Sequence, residues 1–303
     1  AFVIFRMRLI SVRFPFLIII MLILYHIFIV NLIFKILFMK NILVPVGTSK
    51  NTVSHLQYAV DFAEAFGAKL YVVHIYKVFT KAGTMINLDH ILERESKEYL
   101  RDLMSKIDTK NVEVVTKALK GKVVDVLELV SRVANIDLIL IQPRTNSVND
   151  EVFLGETSGK IIKQMNGPAS LIVPEGYTFE PTKHILMAMK SAIIRKEHVL
   201  DPLKFLKEKF KCKIDLLLVK TPYHNEGDFD VNDELKSIVD AVSTTENATT
   251  FQGVLRHYES HNPDMLCVVR RKRGFFMKKW EKNVILKKDF SSSIPVLVLS
   301  ELK

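Results

Sequence analysis

Cysteine is scarce in this sequence, which contains only Cys212 and Cys267 among its 303 residues. Both lie beside or within short apolar runs of β type, and no CxxC pair is present. That absence removes the pattern on which a redox or zinc site would depend. We therefore expect both thiols to pack as small buried hydrophobic groups in a reducing cytoplasm.

Recognisable catalytic motifs are also absent. The sequence shows no serine elbow, no pair of catalytic carboxylates and no metal-ligand cluster. His257 and His261 are four residues apart, but no third ligand at a diagnostic spacing accompanies them, so a surface pair is favoured over a metal site. These absences favour a protein that acts by binding, with no catalytic residues and no metal.

The first sixty positions contain no acidic residue, and the formal net charge of the whole chain is +10. The positive charge is concentrated there and in the densely basic stretch Arg270–Lys288. Outside these two stretches the charges nearly balance. The net charge therefore gives little indication of an anionic partner.

Residues 1–38 form an apolar N-terminal extension. Within it, Phe14–Phe34 is almost continuously apolar and long enough to cross a hydrocarbon layer as a helix. Basic residues flank it on both sides, so the positive-inside rule gives no orientation, and no small-residue cleavage site follows. Three interpretations stay open: translated upstream sequence, a membrane anchor that tethers a regulator through residues 14–34, and a signal peptide.

The most informative feature is an internal repeat. Asp137 opens a stretch that runs through Pro168 to an apolar segment. A similar stretch begins at Asp264 and runs through Pro295, and each of these two residues lies 127 positions after its counterpart. The beginnings of the two halves also correspond, since Lys40–Val46 resembles Lys183–Met189 and Ala68–Ile75 resembles Cys212–Val219. The sequence therefore predicts two similar domains, at residues 39–176 and 183–303, joined by a linker at 177–182.

Each half alternates β-type runs with helix-length amphipathic segments, which is typical of parallel βαβ units. We predict an α/β fold of two similar open five-stranded, mostly parallel sheets with helices on both faces, arranged as a pseudo-dimer. The predicted elements include a third strand at Val112–Val115, a helix around Glu197–Phe210, a helix at Asp233–Val242 and a short strand near Ala248–Phe251.

Ligands of open parallel sheets bind beyond the carboxyl ends of the strands, where the strand order reverses. The segments expected there are Gly47–Ser49, the loop after Ile75, Gly121, and the loop from Gln142 to Gly155.

Several of these segments carry a family resemblance. The ILVPV strand, LYVVHIY, the glycine before the third helix, DLILI, a loop ending in Leu-Gly and PASLIVP occur in the order found in the universal stress protein family. The likeness covers nearly all of Met39–Val173 and, more faintly, Lys183–Leu299. The chain thus resembles a tandem universal stress protein, which implies an adenine nucleotide alpha hydrolase-like fold and a cytoplasmic, bacterial stress-response protein, or else an inner-membrane protein with cytoplasmic domains.

Nucleotide-binding members of that family hold ATP with an Asp after the first strand and a Gly-x-x-Gly, nine residues, Gly-Ser/Thr motif after the fourth. In this sequence Gly47 takes the Asp position, Gln142 and Thr145 take the first two glycine positions, and only Gly155 is retained. Glu156 takes the hydroxyl position, where a carboxylate repels phosphate.

These departures disfavour ATP or AMP as a cofactor. A smaller or less charged ligand, held by Thr48, Ser49, Thr145, Gly155 and Thr157, stays open. The residues that we expect around the degenerate site are Gly47, Thr48, Ser49, Ile75, Gln142, Thr145, Gly155, Glu156 and Thr157.

The matching loop of the second half, Arg270–Trp280, has no glycine motif and interleaves basic with aromatic residues. It could form an anion or single-stranded nucleic-acid surface. Phe276, Trp280 and Val284 are spaced as on the core face of a helix, however, so we favour packing and do not expect a nucleic-acid partner.

The leading prediction is a stress-response protein that acts by binding. The alternatives are an ATP- or AMP-binding module with weak or no hydrolysis and a membrane-tethered regulator. The resemblance implies that the two domains pair within the chain through Leu171–Val173 and Val296–Leu299. A further homodimer and an unidentified protein partner stay open.

Overall fold

The structure, a computed structural model, describes residues 21, 22, 25, 39–77, 88–143, 155–271 and 293–301. The chain divides into two compact units, Ala1–Phe38 and Met39–Lys303. In the first unit, only Met21, Leu22 and Tyr25 are described, and they are helical and exposed. Among the described residues, no helix is both long and apolar enough to span a membrane. The predicted segment Phe14–Phe34 lies almost wholly outside them.

The first half of the second unit alternates strands and helices as the sequence predicts. Its elements are β1 (Asn41–Val46), α1 (Thr52–Phe66), β2 (Lys69–Tyr76), α2 (Leu88–Met104), β3 (Val114–Lys120), α3 (Val123–Val133), β4 (Leu138–Ile141), α4 (Gly155–Gln164) and β5 (Ala169–Ile172). The third strand begins at Val114 and extends to Lys120, beyond the predicted Val112–Val115.

The second half repeats this alternation. Its elements are β6 (His184–Met189), α5 (Asp201–Phe210), β7 (Lys213–Lys220), α6 (Asp233–Ile238), β8 (Ala241–Glu246), α7 (Thr250–His261), β9 (Met265–Arg271) and β10 (Val296–Glu301).

Three sequence-based boundaries in this half are wrong. The helix expected around Glu197–Phe210 begins only at Asp201, with Pro202 in its first turn, where proline is well tolerated. The helix expected at Asp233–Val242 ends at Ile238, and β8 occupies Ala241–Glu246. The strand expected near Ala248–Phe251 is the start of α7, because the Thr249 side chain accepts a hydrogen bond from the Gln252 amide and caps that helix.

The ten strands in the described part of the chain form one sheet, in the order β3-β2-β1-β4-β5-β10-β9-β6-β7-β8. Neighbouring strands run parallel except β5 and β10, which pair antiparallel. The two five-stranded sheets that the sequence predicts are therefore present, but they are joined edge to edge. The junction aligns Ile172 with Val296 and Leu171 with Leu297, the two segments expected to meet.

The markers of the internal repeat have the same structural task in each half. The Asp137 carboxylate accepts hydrogen bonds from the amides of Lys40 and Asn41, at 2.7 and 2.9 Å. The Asp264 carboxylate accepts from Lys183 and His184 at the same two distances. Each aspartate thus fixes the start of a central strand, β1 or β6, beside the strand that it precedes.

Helices cover both faces of the sheet. Residues of α1, α2, α5 and α6 share one core cluster, which extends across both halves. On the other face, α3 and α4 pack over the first half and α7 over the second. Phe179, between the halves, lies 5.9 Å from the Phe62 ring of α1 and 6.2 Å from the Phe210 ring of α5. The predicted linker therefore contributes to the core between the halves.

Candidate functional site

A crevice opens at the carboxyl ends of β1, β2 and β4, where the strand order of the first half reverses. This is the place at which open parallel sheets bind ligands. The described residues around it enclose about 180 Å³. Its walls are the strand ends, the loop after β1, the first turns of α1 and α3, and one side of α4.

Five of the nine residues predicted for the site line this crevice: Gly47, Thr48, Ser49, Ile75 and Gln142. Gly155, Glu156 and Thr157 form the first turn of α4, and the next residues of that helix place Ser158 and Ile161 in the wall. Thr145 lies outside the described residues. Gly121, also expected near the site, lies outside the lining, although Val123, two residues later, is part of it.

The loop after β1 is held by hydrogen bonds to its own carbonyl groups. The Gly47 carbonyl accepts from the Tyr99 hydroxyl of α2 at 2.6 Å and lies 2.9 Å from the Thr52 hydroxyl. The Thr52 hydroxyl is also 2.8 Å from the Ser49 carbonyl. Asn51 is the N-cap of α1, and its side chain makes no capping bond. The buried Thr52 thus fixes the loop from inside the helix.

Gln142 joins two helices at the far wall of the crevice. Its side-chain amide donates to the Asn51 carbonyl at 3.2 Å, at the start of α1. Its own carbonyl accepts from the Ser158 hydroxyl of α4 at 2.9 Å. A glycine here would leave the first contact unmade. The residue that departs from the nucleotide-binding pattern is therefore part of the architecture of this wall.

His55 is the main lining residue that the sequence analysis missed. Its side chain is 4% exposed, and neither ring nitrogen has a hydrogen-bond partner of regular geometry among the described residues. Burial lowers the pKa of His55 to about 4, against a smaller opposing effect of the Leu140 backbone, so the ring is neutral at pH 7. Thr52, His55, Leu56 and Ala59 recur at helical spacing, which could have placed this histidine on the buried face.

The described lining of the crevice contains no lysine, arginine, aspartate or glutamate. Its polar groups are backbone amides and carbonyls, hydroxyls, one side-chain amide and the imidazoles of His55 and His74. This inventory suits a ligand that makes neutral hydrogen bonds better than one that needs charge compensation.

In the corresponding region of the second half, described residues just after β6 and at the ends of β9 and β10 form hydrogen bonds with one another. The Arg271 guanidinium donates to the Ile193 carbonyl at 2.7 Å and pairs with Glu301 at 2.6 Å, which holds the segment after β6 against β9 and β10. Ala192 donates its amide to the Asp228 carbonyl.

The start of the basic loop in the second half also contributes to the junction. Arg270 donates to the Met165 carbonyl beyond α4 and to the Ser300 hydroxyl of β10. The first two arginines of the predicted basic and aromatic surface are therefore engaged within the fold. The remaining residues of that surface, 272–280, lie outside the described residues.

Other groups considered from the sequence have structural surroundings. The His261 ring lies 6.0 Å from that of His257 and its Nδ1 contacts the His257 carbonyl, and the described residues contain no group of three or more metal-ligating side chains that could hold an ion. Both cysteines are buried, and burial raises the pKa of Cys212 to about 11 and that of Cys267 further. These thiols are therefore protonated at neutral pH.

Comparisons with known proteins agree with this architecture. Residues 39–172 match the sequence model of the universal stress protein family. No curated protein shows significant similarity to the sequence.

Among solved structures, a universal stress protein from Archaeoglobus fulgidus DSM 4304 is 18% identical, with a TM-score of 0.62 over 87% of this chain and 98% of that one. A protein of unknown function from Pseudomonas aeruginosa PAO1 is 12% identical, with a TM-score of 0.53 over 86% and 92%. A putative universal stress protein from Pseudomonas aeruginosa UCBPP-PA14 is 13% identical, with a TM-score of 0.53 over 86% and 93%. At these identities the likeness shows the fold.

Proposed function

We propose, from the premise that residues 39–172 are a universal stress protein domain, that this stress-response protein acts by binding a small molecule in the crevice of that domain. The observation that carries the proposal is the crevice itself, which lies at the reversal of strand order and is built by three strand ends and three helices. Gly47, Thr48, Ser49, Ile75 and Gln142 are the predicted residues that would contact the ligand.

Binding rather than catalysis is supported by the chemistry of the lining. A general base works best when its pKa lies near the operating pH. The pKa of the buried His55 is lowered to about 4, which makes its ring a weak base at neutral pH. No carboxylate of the described residues lines the crevice to act with it. A site of this composition can hold and orient a molecule but supplies little acid or base chemistry.

A second candidate is an ATP- or AMP-binding module with weak or no hydrolysis. The helix α4 begins at Gly155, the one glycine of the nucleotide-binding motif that this chain retains, and helix N-termini attract anions. Against it, Glu156 is the second residue of that helix, and Gln142 stands where the motif has a glycine.

Calorimetry with ATP, ADP and AMP tests the two candidates together. Nucleotide binding predicts heat that disappears in Gly155→Val and persists in Thr116→Val, a matched control at an exposed position of β3. Absence of heat with all three nucleotides at millimolar concentration excludes the second candidate. In that case the first candidate, binding of a small molecule in the crevice, is tested with uncharged ligands.

We also propose that the two halves are tandem domains, 39–176 and 183–303, that pair within the chain as a pseudo-dimer. The antiparallel contact of β5 with β10 and the matching aspartate contacts at Asp137 and Asp264 support this proposal. A further homodimer and a cytoplasmic location stay predictions of the sequence. Mass spectrometry of the native N-terminus decides whether residues 1–38 are present: a mature chain that begins at Met39 excludes the membrane tether.

A further inference from the structure

His55 lies in the wall of the crevice, where its ring interacts with the Leu140 backbone. It lies on the buried face of α1, is 4% exposed, and has no regular hydrogen bond at either ring nitrogen among the described residues. A buried polar group without a well-formed hydrogen bond destabilises the folded protein. Since a neutral imidazole carries one donor and one acceptor, a bound molecule with a complementary group would offset this destabilisation.

Several polar groups of the lining are already engaged in hydrogen bonds within the protein. The Gly47 carbonyl contacts two hydroxyl groups, those of Tyr99 and Thr52. The Gln142 side chain donates to the start of α1, and the Ser158 hydroxyl donates to the Gln142 carbonyl. The His55 imidazole therefore stays among the lining groups that can form a hydrogen bond with a ligand.

The charge of the lining restricts the ligand further. An ionised group that enters a buried site without a counter-charge loses its hydration and gains little in return. The described lining offers no cationic side chain to a phosphate and no carboxylate to an amine. An uncharged ligand avoids both costs.

The size of the crevice sets a scale for the part that contacts His55. The described walls enclose about 180 Å³. For comparison, an engineered apolar cavity of about 150 Å³ in another protein holds one benzene molecule. The described part of the crevice, which is partly open to solvent, therefore has room for about one ring.

We propose that the crevice recognises a small uncharged heterocycle, about the size of a nucleobase or smaller, through a hydrogen bond to the neutral ring of His55. This inference depends on the proposed binding function and specifies its ligand class. Recognition of the ring does not depend on contact with phosphate, and a phosphate group on the ligand therefore does not strengthen binding.

The test compares free bases with their nucleotides. Adenine and uracil are titrated in parallel with AMP and UMP, while NMR follows the ring nitrogens of His55 and the backbone amides of Gly47 and Gln142. We expect at least one base to shift the His55 ring signals, and the corresponding nucleotide to bind no more tightly than that base. Since the wild-type ring itself is observed, this readout does not depend on a variant that folds.

A pair of variants completes the test. His55→Phe keeps an aromatic ring but removes both nitrogens, and should weaken binding of the base at least tenfold. His90→Phe is the matched control, because His90 is exposed on α2, outside the crevice, and should bind like the wild-type protein. Circular dichroism checks that both variants fold.

Each contrary outcome has a distinct meaning. If nucleotides bind more than tenfold tighter than bases, or shift the Gly47 and Gln142 amides without affecting His55, the crevice binds ligands but the inference about His55 is wrong. If no probe shifts any of these signals, the ligand class proposed here is wrong. If uncharged probes of other classes also fail, the binding function of the crevice fails with it.

Discussion

The buried histidine predicts how the stability of this protein depends on pH. The pKa of His55 falls from 6.5 in an exposed ring to about 4 in the folded protein, chiefly because burial penalises the charged form. Between these two values the unfolded chain binds a proton at this position and the folded chain does not. Stability is therefore fully present above about pH 6.5, decreases as the pH falls toward 4, and changes no further below that from this group.

The size of the effect follows from the two pKa values. Linkage gives a loss of about 2 kcal/mol in the free energy of unfolding between pH 7 and pH 5, which grows to about 3 kcal/mol at pH 4. No discount for solvent screening is needed, since the ring is 4% exposed. Domains of this kind are stable by only about 5–15 kcal/mol, so the change is easily measured.

Urea unfolding followed by circular dichroism at pH 7 and pH 5 provides the assay. The His55→Phe variant removes the titrating group, so its difference between the two pH values should be smaller than that of the wild-type protein by about 2 kcal/mol. His90→Phe, at an exposed position of α2, should retain the wild-type difference. Equal pH dependence in the wild-type protein and His55→Phe would refute the assignment of a buried, neutral imidazole.

Three further predictions concern the architecture. Ile172→Asp places a carboxylate at the buried junction of β5 with β10, at a cost of roughly 3 kcal/mol or more. The two halves should therefore separate or unfold, which X-ray scattering would detect as a larger radius of gyration. Val242→Asp, at an exposed position of β8, is the control, and an unchanged radius in Ile172→Asp argues against the junction. Asp137→Ala and Asp264→Ala should each lower the free energy of unfolding, measured with urea, by roughly 1–3 kcal/mol and by similar amounts. Each substitution leaves two strand amides without their acceptor. A large effect of only one substitution would show that the two aspartates do not have equivalent roles. Gly121→Ala should lower the free energy of unfolding by roughly 1–3 kcal/mol, because the φ angle of Gly121 is +147° and the new Cβ would lie 2.7 Å from Val126 Cγ2. Adding Val126→Ala should remove the steric part of this loss. Unchanged stability of Gly121→Ala alone would show that the backbone at this position is not strained by a side chain.

The strands and the pairing of the halves could be predicted because their signals are local and repeated. Asp137 and Asp264 precede apolar runs at a constant separation, and the structure gives both the same pair of amide contacts. The segments Leu171–Val173 and Val296–Leu299 were expected to meet, and they form the antiparallel junction. That this contact makes one continuous sheet is a consequence of hydrogen bonding between two strand edges, which composition does not reveal.

The errors have local physical causes. Ala241–Glu246 is an edge strand with four of its six residues exposed, so its side chains lack the apolar run that marked the central strands. The β-branched residues before Phe251 resemble a strand, but Thr249 caps a helix there.

The position of the crevice could be predicted from the sequence, whereas the chemistry of its lining could not, and its use as a binding site stays a prediction. The loop residues Gly47 to Ser49, Ile75 and Gln142 were expected because strand ends meet at one edge of the sheet, and they line the crevice. His55 was missed because a single histidine in an amphipathic helix looks like any partly exposed polar residue until its burial is known. Arg270 was interpreted as part of a surface loop, whereas its contact with the Met165 carbonyl connects the two halves.

Crystal structures of the protein soaked with adenine and with uracil test whether the crevice binds a base beside His55. We expect density for at least one base in the crevice between Gly47, Ile75 and Gln142, with one of its polar atoms within hydrogen-bond distance of a ring nitrogen of His55. If both bases bind only elsewhere on the molecule, or if the crevice contains only solvent at saturating concentrations of both, the proposal is wrong.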